Sequence, residues 1–455
     1  MSESVLRLIR DTRCARKQGA AAVEQRQRAR LAEMVTYARA HSPYYRKLYQ
    51  DLPEKVEDSR LLPVTSKKEL IARFDDWVTD REVTLEKVRA FVDNPDLIGE
   101  RFLGKYTVAT TSGTTGTRGV FVLDDRTMAV TNALALRALG AWLDAVDVIR
   151  IIAGGGRMAM VMATGGHFAS AVGAARLRRS RWGRKALQVL SVHMPMPELV
   201  ARLNAFRPVI VAPYASTAAL LATEQEAGRL HINAVLMALA AEGLPASEYD
   251  RIAKVFGTKV GNSYAATECP FLSYGCEHGW LHVNSDWLVL DPVDADYRPV
   301  PPGEQSQTVL ICNLANRVQP ILRYDLGDSV MQRSDPCPCG NPLPAIRVQG
   351  RSADVITFHS GRGEPVAIAP LAFGTLIDGT PMIDLFQIIQ TTPTSLRVRL
   401  RPAAGADPDR VWQAVQGAIT RLLAARQLAH VAVERAEEPP EPSPGGKYRT
   451  IIPLK

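Results

Sequence analysis

The sequence predicts an α/β protein: a large N-terminal α/β domain with a β-rich portion over residues 1–350, then a small, mobile C-terminal α+β lid over residues 351–455. Three observations predict it. From about residue 107 to 260, short β-branched pieces alternate with segments long enough for a helix, the pattern of a largely parallel sheet. Between 280 and 350 the chain changes to short strands separated by turns, and after Arg351 an alternating strand, Ser395 to Arg401, precedes a helix over Asp409 to Gln427.

Taken in order, residues 1–50 are rich in Ala, Arg, Gln and Glu with no proline before Pro43, which predicts a helical cap over the N-terminal domain. Val148 to Gly154, Leu187 to Val192 and Val209 to Pro213 read as strands of the parallel sheet. Met158 to Ala175 is uncharged and small-residue-rich; Gly165, Gly166 and His167 inside it indicate buried core beside a site rather than a membrane span. Trp287 to Leu290 and Thr308 to Cys312 are the short strands of the β-rich portion, and the Pro/Glu-rich Glu437 to Pro444 is a flexible lead to the C-terminus.

With 455 residues, 46% apolar and 22% charged, the chain has material for more than one core and is not wholesale disordered. The N-terminus carries charge where a secretory leader needs an apolar run, which points to a cytoplasmic protein. The net charge of +8 includes a dense patch from Arg176 to Lys185. It reads as a solvated basic face, since no nucleic-acid-binding signature accompanies it; neither a nucleic-acid nor a membrane partner is expected.

Tyr106 to Val120 carries the most chemistry. A β-branched run passes into Thr110, Thr111, Ser112, Gly113, Thr114, Thr115, Gly116, Thr117, Arg118 and Gly119. Glycines let backbone N–H groups approach an anion and hydroxyls add donors without bulk, so this is a candidate phosphate cradle. The Gly-Lys-Ser/Thr ending of a Walker loop is missing.

Four further segments follow in order: Ser263 to Glu268, Arg323 to Asp328, Gly350 to Asp354 and Gly445 to Arg449. Together with the loop they resemble the adenylate-forming superfamily of acyl-CoA synthetases and adenylation domains, with its Tyr-x-x-Thr-Glu, Tyr-x-x-Gly-Asp, Gly-Arg-x-x-Asp and Gly-Lys motifs. Ala40 to Arg46, Ala241 to Pro245 and Cys337 to Gly340 are closer to the phenylacetate-CoA ligase-like branch.

The resemblance implies roles. Thr111, Ser112, Gly113, Thr114, Thr115 and Gly116 would hold the β- and γ-phosphates of ATP. Glu268 would ligate Mg²⁺, a task for a hard oxygen donor, with Thr267 near the α-phosphate. Tyr264 would stack on adenine, Asp328 would accept both ribose hydroxyls, and Arg351 would add a ribose or phosphate contact. Lys447 would carry its ammonium to the reacting centre, and His167 would face the carboxylate substrate. Coenzyme A is the expected acyl acceptor and a small organic acid, aryl in this branch, the substrate; a homodimer stays open.

Two departures bear on the second half-reaction. Ala353 stands where relatives carry the hinge carboxylate, and Phe358 to Glu364 diverges from the segment shaping the thiol tunnel. The alternative acceptor is therefore an amine, a carrier protein or another non-CoA nucleophile.

A second constellation is separate from ATP. Cys276, His282, Cys337 and Cys339 would make a closed Cys₃His set, which implies structural Zn²⁺. Cys269 or His278 could replace one of these ligands.

Overall fold

The computed structural model describes residues 5–111, 119–164, 166–180, 183–240, 243–244, 246–351, 354–368, 372–373, 376–377, 380, 382–442 and 449–454, with backbone only for Arg351 and Ala367. The N-terminal segment is helical as expected, over Val5–Gln18, Ala20–His41 and Pro43–Leu48. Ser42 ends the second helix and caps the third, its hydroxyl accepting from Tyr45 N–H, with Pro43 at the first helical position. These helices are held by charge as well as packing: Arg137 spans Asp286 and Asn284 in the interior and reaches the carbonyl of Thr12.

The strands are β1 (Thr107–Thr110), β2 (Val120–Leu123), β3 (Met158–Met162), β4 (Leu187–Ser191), β5 (Ile210–Pro213), β6 (Leu236–Leu239), β7 (Lys259–Tyr264), β8 (Ser273–Gly275), β9 (Leu281–Val283), β10 (Leu288–Val293), β11 (Thr308–Asn313), β12 (Ile321–Asp325), β13 (Asp328–Gln332) and β14 (Ala345–Arg351). Among the described residues nine of them form one sheet in the order β13-β14-β9-β8-β7-β6-β5-β3-β4. From β4 to β7 the pairing is parallel; from β7 to β13 it is antiparallel. Much of the β-rich portion thus continues the parallel sheet instead of standing apart, and β10, β11 and β12 make a separate antiparallel sheet. The hairpin β1–β2 joins the same hydrophobic cluster as β10 to β12 and the segment around Cys269.

One expected strand is a helix. Val148 to Gly154 lies in and just past the helix Ala145–Ala153. Asp144 caps it, and Asp144 and Asp147 form a reciprocal capping box that nucleates a helix through residues whose β-branching favours strand. The chain leaves it through Gly155 and Gly156, both at positive φ.

After residue 355 come β15 (Ile356–His359), β16 (Pro365–Ile368), β17 (Ile383–Thr392), β18 (Ser395–Pro402), the helix Pro408–Ala425, β19 (Ala432–Arg435) and β20 (Ile451–Ile452). Their apolar side chains, from Ile356 to Ile451, form a cluster of their own.

Candidate functional site

The neck of the hydroxyl-glycine loop is closed by one residue pair. Thr111 N–H donates to Gly119 O at 3.0 Å, and Gly119 N–H donates to Thr111 Oγ1 at 2.9 Å. A Cβ on Gly119 would lie 2.7 Å from the Phe121 ring, so the exit strand requires glycine there. Ser112, Gly113, Thr114, Thr115 and Gly116 lie outside the described residues. On the entry side Thr110 N–H donates to His167 O at 2.7 Å. The His167 ring is buried against Phe91, and its Nε2 lies 3.1 Å from Asn94 O, a bond only a protonated Nε2 can make. Among the described residues, its buried Nδ1 has no hydrogen-bond partner.

On the other side β7 ends at Tyr264 and the chain turns, with Ala266 and Cys269 exchanging backbone hydrogen bonds at 3.2 Å in both directions. That turn presents Thr267 and Glu268. Glu268 is only 5% exposed, so its charge must be met inside the protein. Tyr324 Oη donates to Glu268 Oε1 at 3.1 Å, and Lys67 Nζ lies 3.6 Å from the same oxygen.

Lys67 and Tyr324 escaped the sequence reading. Thr65 forms an isolated parallel bridge to Tyr324, with its hydroxyl on Leu322 O. Ser66 then caps the helix Lys67–Ala72. Arg323 secures this segment through the carbonyls of Ser59, Arg60 and Leu62. A Thr-Ser-Lys-Lys-Glu cap signature was visible, but nothing local tied it to Glu268.

Asp328 opens β13 after Gly327, whose φ of 77° admits the reversal from β12. Tyr264 Oη donates to Asp328 Oδ2 at 2.6 Å, a length typical of a hydroxyl on a carboxylate. Arg351 is the register partner of Asp328 across β13–β14, so two motifs distant in sequence meet on adjacent strands. Lys447 lies outside the described residues, but both flanks of its segment are held by buried Gln387: Nε2 donates to Glu441 O at 2.7 Å and Arg449 O at 3.0 Å, and Oε1 accepts from Glu441 N–H at 2.9 Å. Arg449 pairs with Asp354.

A buried amide relay links the two halves of the site. Gln319 accepts from Val122 N–H at 2.7 Å, Asn316 donates to Val122 O at 2.8 Å, and Asn313 donates to the Glu268 carbonyl at 3.1 Å. The loop's exit strand and the Glu268 turn are therefore fixed to one short segment.

The cysteine and histidine constellation is also assembled. The ligand atoms of Cys276, His282, Cys337 and Cys339 all lie within 4.8 Å of one another. Cys276 and Cys337 sulfurs are 3.7 Å apart, near the ~3.8 Å edge of a tetrahedron with Zn–S of about 2.3 Å. His282 Nδ1 lies 3.0 Å from Leu343 O and Nε2 3.1 Å from Cys339 Sγ; donation through Nδ1–H leaves Nε2 bare towards the sulfurs, the tautomer a metal requires. Burial holds the His282 imidazole below its ordinary value, while burial and the neighbouring sulfurs push the Cys339 thiol up to about 12. The assembled set includes neither of the two alternatives: Cys269 is buried beside Glu268, and His278 lies 3.6 Å from Glu277.

No protein-family model and no curated relative matches the chain. Solved structures share its fold. 2-Hydroxyisobutyryl-CoA ligase in the postadenylation state, in complex with 2-HIB-AMP, matches with TM-score 0.65 and 20% identity over 96% of this chain and 90% of that one. The same ligase with 2-HIB-AMP and CoA in its thioesterification state matches at 0.52, with 20% identity over 95% and 89%. The anthranilate CoA ligase AuaEII in complex with anthranoyl-AMP matches at 0.52 with 17% identity, over 75% of this chain and 64% of that one. The chain therefore shares the fold of these CoA ligases, with the expected mixed α/β architecture and α+β C-terminal portion. Among the described residues no helix is long and apolar enough to cross a membrane.

Proposed function

We propose that the chain is an AMP-forming acid–thiol ligase, which activates an organic acid, aryl by the motif reading, as acyl-AMP and passes the acyl group to coenzyme A. The carrying observation is that one buried segment, Asn313 to Gln319, holds both the exit strand of the hydroxyl-glycine loop and the turn that presents Glu268, just after Tyr264, whose hydroxyl donates to Asp328. The fold shared with CoA ligases that bind acyl-AMP supports the same reading.

In that reading Thr111 to Gly116 hold the departing phosphates. Asp328, oriented by Tyr264, receives the ribose while the Tyr264 ring lies against adenine. Buried Glu268 fits as a Mg²⁺ ligand; the ion would neutralise charge on the nucleotide's phosphates. Lys67 supplies a second cation beside Glu268, Thr267 sits one residue from it, and His167 backs the acid side. Residues 351–455 act as a lid that delivers Lys447. The Cys₃His cluster fits Zn²⁺ by donor set and spacing, with all four positions filled by protein, so a structural role follows. It also favours the phenylacetate-CoA ligase-like branch.

Acid-dependent exchange of labelled pyrophosphate into ATP tests adenylation across a panel of acids. Mass analysis with and without coenzyme A then tests the acceptor: exchange without a thioester would assign an amine or carrier protein. Lys447→Ala is expected to abolish exchange with the fold intact. ATP binding with no exchange for any acid would overturn the enzymatic reading.

A further inference from the structure

The chain around Arg449 is held at three points. The Arg449 carbonyl accepts from Gln387 Nε2 at 3.0 Å, its guanidinium pairs with Asp354, and Thr450 O accepts from Ile388 N–H at 2.8 Å as the chain enters β20 beside β17. The upstream flank is fixed to the same buried glutamine, since Glu441 O accepts from Gln387 Nε2 at 2.7 Å and Glu441 N–H donates to Gln387 Oε1 at 2.9 Å. Between the two flanks the sequence carries Gly445, Gly446 and Lys447. Glycine costs more conformational entropy to fix than any other residue, so the task of setting the lysine falls on the flanks.

Of these anchors, Asp354 is the one that leads back to the nucleotide residues. Gln387 and Ile388 tie the segment to β17, within the C-terminal portion. Asp354 instead follows Arg351 by three residues, at most about 11 Å of chain, and Arg351 ends β14 as the register partner of Asp328. Lys447 lies two residues before Arg449, at most about 7 Å of chain. The Asp354–Arg449 pair thus joins the segment that carries Lys447 to the strand that runs beside Asp328. Gly350 to Asp354 contains one carboxylate, so no neighbour in that stretch can take its place.

The pair is not what holds the C-terminal portion together. Ile356 of β15 and Ile451 of β20 are 0% and 2% exposed in one apolar cluster, so both ends of the bridge are already anchored by burial. The Arg449 and Asp354 side chains keep 25% and 17% of their surface open, and an ion pair that water reaches adds little to stability. What a guanidinium adds is direction, because its planar donors fix the carboxylate and the chain behind it in a narrow range of orientations. We propose that Asp354 and Arg449 are positioning residues that set Lys447 for adenylation. This rests on the reading of Lys447 as the lysine that reaches the reacting centre.

Pyrophosphate exchange by the full chain is the test, with phenylacetate or whichever acid of the panel exchanges fastest. Asp354→Asn and Arg449→Gln should each lower kcat by about tenfold or more, the scale on which displacing a positioned group acts, with KM for ATP within about twofold and melting temperatures little changed. The double variant should lose no more than either single one, as partners in one contact do, and Asp354→Glu should recover most of the rate. Lys447→Ala, measured alongside, separates the two levels. If it abolishes exchange while both single variants keep the wild-type kcat, the positioning role is overturned and the lysine reading stands; if Lys447→Ala or the wild-type chain contradicts that reading, both fall together. Additive losses in the double variant, or a rate that falls in step with melting temperature and is not recovered by Asp354→Glu, would also overturn the proposal.

Discussion

Tyr264→Phe separates the hydroxyl that holds Asp328 from the ring that would lie against adenine, because it removes the one and keeps the other. The lost bond is short, 2.6 Å, and runs to a carboxylate that is 8% exposed. Hydrogen bonds to charged groups contribute about 1.5–3 kcal/mol net, more when solvent cannot replace them. If roughly half of the upper figure is realised in holding Asp328 towards the ribose, ATP binding weakens by about 1.4 kcal/mol, or tenfold. Pyrophosphate exchange measured against ATP concentration should show KM for ATP raised about tenfold, with kcat within roughly twofold, the signature of lost uniform binding. An unchanged KM would remove Tyr264 and Asp328 from nucleotide recognition. A loss confined to kcat would mean that the bond acts on the chemical step instead.

Lys67→Ala removes the cation 3.6 Å from Glu268; exchange should fall by about two decades, the lower end of the scale for removing one electrostatic stabiliser. The melting temperature should fall as well, because buried Glu268 loses its counter-charge; unchanged exchange would remove Lys67 from the site. Metal analysis should find one zinc per chain. Cys337→Ser should lose it together with thermal stability, and an unchanged melting curve after metal removal would contradict a structural site. Acid stability should depend on Asp11. Burial pushes its carboxyl up, but Arg30 and Arg26 outweigh burial and leave it below its ordinary value near 3.8. Its contribution is therefore present above the unfolded value and lost as pH falls through the folded one. Asp11→Asn should lower urea midpoints at pH 6 more than at pH 3, and equal losses at both would assign the effect to packing.

The site was legible where chemistry forces residue types at short spacing. The hydroxyl-glycine loop, Tyr264 with Glu268, Asp328 with its preceding Gly327, and the Cys-x-Cys pair all appear within a few residues of one another. Tyr324 sat inside a recognised motif, yet its hydrogen bond to Glu268 depends on strand pairing that no local pattern encodes. Lys67 is linked to Glu268 across 201 positions of sequence, from 67 to 268, through the bridge between Thr65 and Tyr324. Asn313, Asn316 and Gln319 are polar residues in an apolar block, and only the packing of β2 and of the Glu268 turn beside them shows why they are buried. The β-branched run at Val148 misled for the reverse reason: Asp144 and Asp147 close a local cap that outweighs intrinsic strand preference.

By itself, the order of amino acids determined the class of fold and marked the candidate loop, carboxylates and zinc-type donors, because these rest on periodicity or on functional groups at short spacing. Tertiary structure decided which distant side chains share a counter-charge and that β8, β9, β14 and β13 extend the parallel sheet. Those outcomes depend on non-local contacts whose energies exist only after the chain has closed on itself.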